Sequence, residues 1–146
     1  MEISREMTVK AEAARVWRAI SDYREFGEWF GVRLEGPFSA GAKARGKMTY
    51  PGYEHFTMEM QIETIEPERH FSFRWHPYAV NPQVDYSGEA TTLITFELTP
   101  TPEGTRVQVT ESGFEAIPEV RRAEAYRKNS GGWEQQLKNI AAFVNR

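Results

Sequence analysis

The sequence contains no cysteine, which excludes disulfides, thiolate metal sites and cysteine nucleophiles and makes a reducing cytoplasm the natural setting. Long apolar runs are missing too: the uncharged stretches fall well short of the ~20 residues that a membrane-spanning helix requires. The opening residues MEISREMTVK alternate charged with apolar side chains and lack the basic-then-apolar order of a secretory signal. Positive charge is not in excess. The formal net charge is -3, with both signs interspersed, so nucleic acid finds no electrostatic footprint. Histidine is scarce, and His55, His70 and His76 have neither helical nor chelating spacing, so no metal and no cofactor are expected. A nucleophile elbow, a P-loop and a dinucleotide fingerprint are all absent.

What the chain has in quantity is aromatic residues, 13% of 146, including four tryptophans and nine phenylalanines. A chain of this length most simply forms one domain, residues 1–146, burying roughly 70% of the surface its unfolded form exposes.

The order of local patterns constrains the architecture. Ile3, Met7 and Val9 alternate with polar neighbours as in a strand with one buried face, and Arg5 is the exception in the inward phase. In AEAARVWRAI, Ala13, Val16, Trp17 and Ile20 share a helical stripe. Asp22 followed by Glu25 reads as a capping-box variant that starts a second short helix running to Gly27 or Trp29.

From Val32 onward strand signals punctuated by glycine and proline continue for about eighty residues. Phe56, Met58, Met60 and Ile62 share one face of a long strand, and Phe71, Phe73 and Trp75 share one face of the next. The segment HPYAVNPQVDYSGEA is long enough for a covering or binding loop, or else for disorder. Beyond it, Thr92, Ile94, Phe96 and Leu98 point inward, and so do Val107, Val109 and Glu111 in the strand after the turn PTPEGT. Pro118 suits the first turn of a long final helix. Consecutive strands with short connections imply a single curved antiparallel sheet whose aromatic face the last helix must cover. The expected fold class is α+β: a helix-grip fold of about six to seven strands, with two short helices after the first strand.

The ordered series ARVWRAISDYREFGEWF, FSFRW, TTLITFELTPTPEGTRVQVTESGF and GGWEQQLKNIAAFV resembles the SRPBCC superfamily, the START and birch-pollen-allergen fold. Within it the series resembles the branch of activator of heat-shock-protein-90 ATPase homologues, over nearly the whole chain. The resemblance implies a deep cavity between sheet and C-terminal helix, used by various members for lipids, sterols, polyketides or other apolar molecules. It also implies a chaperone contact as an alternative activity, and a polyketide cyclase or dehydratase as a third.

The residues themselves allow two readings of the inward set Met48, Tyr50, Phe56, Met58, Met60, Phe71, Phe73, Trp75 and Phe96: solid core, or the adaptable lining of an apolar site. In the last helix Tyr126, Trp133, Leu137, Ile140 and Val144 form one stripe. Followed backwards it passes Ser130, Asn129, Tyr126 and Ala123, smaller and more polar residues that would leave a void against the sheet. Trp29, Trp75, Tyr126 and Trp133 are the side chains expected to line or close that void, and Gly131 and Gly132 lie off the stripe. Arg5 and Glu111 are candidate polar groups; their convergence with Tyr126 in one pocket would favour the enzymatic reading. The leading expectation is non-enzymatic binding of a small hydrophobic or amphipathic molecule.

Overall fold

Apolar and polar residues alternating along Glu2–Val9 produce the first strand, β1, with Ile3 and Val9 buried. The computed structural model describes every residue from Met1 to Arg146. Two helices follow, α1 (Ala13–Ser21) and α2 (Tyr23–Phe30). The Asp22 side chain accepts hydrogen bonds from the backbone N–H groups of Arg24 and Glu25, at 2.9 and 3.0 Å, and so starts α2. That helix runs past Gly27, the earlier of its two expected ends, because Gly31 supplies the left-handed cap at φ 94°. Gly27 instead permits a close backbone approach, since a Cβ there would sit 2.2 Å from the Val32 carbonyl oxygen. The buried face of α1 is Val16, Ala19 and Ile20, so the expected stripe is turned, leaving Ala13 and Trp17 half-buried.

Six more strands follow: β2 (Val32–Leu34), β3 (Lys43–Met48), β4 (Thr57–Glu66), β5 (His70–Trp75), β6 (Thr92–Thr101) and β7 (Gly104–Ser112). They form one antiparallel sheet in the order β1-β7-β6-β5-β4-β3-β2. The strands after α2 are thus a simple meander, and β1 joins its far edge by pairing with β7 from Glu2–Ser112 to Val9–Thr105. A register shift between Ile62 and Thr64 bends β4.

The chain closes with α3 (Glu119–Val144), 26 residues long, with Pro118 at the N-cap, one place earlier than its expected position in the first turn. Its buried residues are Ala125, Trp133, Leu137, Ile140 and Phe143, and it packs against β1, α1 and α2. The expected stripe is therefore correct at Trp133, Leu137 and Ile140; Ala123 is exposed and Phe143 takes the place assigned to Val144. This is the α+β helix-grip architecture. No helix is long and apolar enough to cross a membrane.

Candidate functional site

A cavity of about 460 Å³ opens between the β3–β4 end of the sheet, one flank of α3 and the loop joining β5 to β6. Its sheet wall carries Met48, Phe56, Met58 and Trp75, with Phe30 from the end of α2 beside them. Tyr50 and Tyr53 extend that wall toward the mouth, where Tyr50 is exposed. The facing wall is Lys128, Asn129, Gly132, Gln135, Gln136 and Asn139 of α3. One side is thus aromatic and methionine-rich, and the other is polar, with four amides among its six residues.

The amide wall is held in a defined arrangement. Gln136 donates through Nε2 to the Phe30 carbonyl at 3.2 Å and accepts from Asn139 Nδ2 at 2.9 Å, while Asn139 accepts from Gln135 at 3.0 Å. These bonds tie the α3 flank to itself and to the end of α2. Gly132 adds no side chain, and a Cβ built on it meets nothing within 4 Å. Positions 128, 132, 135, 136 and 139 recur at helical spacing, so the open flank is a continuous stripe beside the buried one.

Behind the wall lies the most unusual group of the molecule. Glu111 on β7 is fully buried, and no cation pairs with it. Its carboxylate accepts from Trp75 Nε1 at 2.9 Å, Trp133 Nε1 at 2.8 Å, Thr92 Oγ1 at 2.6 Å, and Asn129 Nδ2 at 3.1 Å to each oxygen. A buried charged side chain persists only when its hydrogen-bonding capacity is met, and here four neutral donors meet it. The two indoles that converge on Glu111 stack, with ring centroids 5.7 Å apart and planes inclined by 28°. Trp75 and Asn129, both on the cavity wall, are therefore anchored to the same interior group.

The β5–β6 loop closes one side of the cavity with Tyr78, Ala79 and Tyr86. Arg121 of α3 clasps it, donating to Glu89 at 2.8 Å and to the Pro77 carbonyl at 2.6 Å, with its guanidinium 4.8 Å from the Tyr86 ring centre. Tyr78 holds a left-handed backbone at φ 48°, a conformation that a bulky residue adopts only under constraint. Burial raises its phenol above the ordinary tyrosine range, and Tyr53 adds to the shift. Asp85 is held below the usual carboxylate range chiefly by the Ser87 backbone N–H, which donates to it at 2.9 Å.

Of the side chains proposed from sequence, Met48, Tyr50, Phe56, Met58, Trp75 and Asn129 line this cavity. Met60, Phe71, Phe73 and Phe96 lie inward as expected but face solid core, where Phe26 of α2 meets Phe73, Trp29 of α2 meets Phe96, and Phe38 from the connection between β2 and β3 meets Phe71. Trp29 belongs to the same filling, donating through Nε1 to the Ala19 carbonyl at 2.7 Å. Trp133 sits beneath the wall, bound to Glu111. Tyr126 turns to the Phe114 ring at 5.3 Å and donates to the Glu2 carbonyl at 3.2 Å. Ser130 accepts from Arg5, and Glu111 is occupied by its four donors, so Arg5, Glu111 and Tyr126 do not converge on a common opening. Gly132, placed off the stripe from sequence, borders the cavity after all. Tyr78, Tyr86, Lys128, Gln136 and Asn139 escaped the sequence reading. The helical recurrence of the polar residues was a signal that could have found the last three.

The sequence matches the family described as Activator of Hsp90 ATPase homolog 1-like protein over residues 10–145. None of the curated proteins matches it significantly. Among solved structures, a Mesorhizobium loti protein superposes with a TM-score of 0.78 at 24% identity, covering 100% of this chain and 98% of that one. An Arthrobacter aurescens protein gives 0.75 at 21%, covering 99% and 86%. DynU16, a protein in the dynemicin biosynthetic locus, gives 0.75 at 23%, with 99% of this chain covering 47% of DynU16. At these identities the structural likenesses establish the shared fold. The sequence match over nearly the whole chain, carried on a helix-grip fold of the SRPBCC type, makes this protein a member of the Activator of Hsp90 ATPase homolog 1-like family.

Proposed function

We propose that this protein, acting as a single domain, binds a small apolar or amphipathic molecule in the cavity between β3–β4 and the α3 flank, without transforming it. The observation that carries this reading is the cavity itself: its ~460 Å³ falls within the range of small-molecule sites, with one apolar wall and fixed polar groups facing it. Other features agree with it. The lining offers methionine and aromatic side chains, which adapt to irregular apolar shapes. Strain at Tyr78 lies on the rim, where the cost of an unfavourable backbone suits a binding role. The binding reading is preferred to an enzymatic one because the one buried carboxylate near the cavity is already engaged by four donors.

Titration with the apolar fluorophore N-phenyl-1-naphthylamine tests the proposal. Saturable binding of one equivalent, with a blue-shifted emission, is expected. A linear, unsaturable response across the probe's soluble range would sink it. Native mass spectrometry of the protein purified from its own host would show whether a molecule travels with it.

Family membership favours a second reading, contact with a heat-shock-protein-90 chaperone. Stoichiometric recovery of that chaperone in a pull-down, undiminished when the cavity is filled by substitution, would support it over the first.

A further inference from the structure

Asn129 is the one lining residue of α3 that also touches Glu111, and that contact decides which end of its amide meets the cavity. The Glu111 oxygens are already the acceptors of three other donors, the two indole N–H groups and the Thr92 hydroxyl. An amide oxygen turned toward them would set acceptor against acceptor inside the protein, so Asn129 must present Nδ2. It does, at 3.1 Å to both carboxylate oxygens. Its Oδ1 is left facing the other way with no protein donor. That oxygen is also not among the side-chain atoms buried without a partner, so it is accessible, on a residue that lines the cavity.

Three of the neighbouring polar groups are less free. Gln136 and Asn139 are committed to their own network, and Trp75 has given its only N–H to Glu111. Charge on the lining is Glu59 and Asp85 against Lys128, two acidic groups to one basic, so an anion gains no net attraction. What the wall beside Trp75 offers is a fixed acceptor next to an indole held in place from behind.

Resting on the binding function proposed above, we infer that the cavity selects ligands carrying a hydrogen-bond donor, a hydroxyl or N–H on an aromatic or polycyclic body. Asn129 Oδ1 accepts that donor, and Trp75 and Met58 hold the apolar body. Glu111 is a positioning residue: it fixes the amide orientation and does not touch the ligand.

Pyren-1-ol and 1-methoxypyrene distinguish the inference from the reading beneath it, since they share a ring system and differ in the donor. The wild-type protein should bind pyren-1-ol about tenfold more tightly, the effect of one hydrogen bond gained or one acceptor left unsatisfied. In Asn129→Leu the ratio should fall to about one, through weaker binding of the alcohol, with 1-methoxypyrene little changed. Thermal melting of that variant checks that the fold persists. Equal binding of both probes by the wild-type protein overturns the donor selectivity and leaves the cavity function standing. Binding of neither overturns both. Because the first comparison uses wild-type protein alone, a poorly folded variant cannot obscure the result.

Discussion

The space between sheet and α3 has two ends with opposite fates. At one end, Phe73 and Phe96 meet Phe26 and Trp29 from α2 while Phe38, between β2 and β3, covers Phe71, and the rings interlock with centroids such as Phe26–Trp29 at 4.7 Å and Trp29–Phe96 at 6.3 Å. At the other, Met48, Phe56 and Met58 face the amides of α3 across an open cavity. Both sheet surfaces are apolar and bulky. The difference lies in what stands opposite: a helix that delivers aromatic rings in one case, and in the other a polar helix flank with a glycine in it. A grip fold therefore makes a pocket by withholding filler, and Glu111 marks the boundary by bonding Trp75 on the open side and Trp133 on the closed one.

Removing that boundary should have the largest effect. Glu111→Leu would leave two indole N–H groups, a threonine hydroxyl and an amide without their acceptor, at a cost of about 5 kcal/mol. Urea denaturation should show it, with Glu111→Gln losing less because it keeps an acceptor oxygen. A contrast between the two ends comes next. Phe73→Ala at the filled end should destabilise by about 4 kcal/mol, whereas Phe56→Ala on the cavity wall, half-buried at the outset, should cost about 1 kcal/mol. Similar losses at both sites would mean that the ends do not differ in packing.

A smaller effect is expected at the clasp. Arg121→Ala releases the β5–β6 loop from α3 and should cost about 1–2 kcal/mol. Its diagnostic sign is faster hydrogen exchange confined to residues 76–91, with quicker probe release in stopped flow. The smallest effect on stability is a gain. Gly132→Leu replaces a helix-interior glycine where an added Cβ meets nothing, so stability should rise by up to about 1 kcal/mol. Probe binding should nevertheless weaken, since the new side chain occupies the open end; retained binding in a stabilised variant would mean that the probe sits elsewhere.

Much of this was legible in the residues. Period-two alternation located the strands, Asp22 with Glu25 marked the start of α2, and the inward phase of Glu111 was visible from Val107 and Val109. The void, however, lies to one side of the helical stripe. The sequence stripe suggested that the first half of α3 would hollow the core, but the opening follows a flank of the helix from Lys128 to Asn139, a matter of rotation about its axis and not of height along it. A helical wheel shows which residues share a face and does not say where the neighbouring elements end.

The alternating sheet, the two short helices, the long final helix and an aromatic inward face are all encoded locally, because they depend on periodicity and on capping chemistry within a few residues. Which inward aromatics pack and which line a cavity is a matter of long-range packing. That depends on α2 reaching one end of the sheet and stopping at Gly31, and on the rotation of α3 against β1. The same packing also brought Glu111 to two tryptophans, a threonine and an asparagine 36, 22, 19 and 18 residues away in the chain, a meeting that no local pattern encodes.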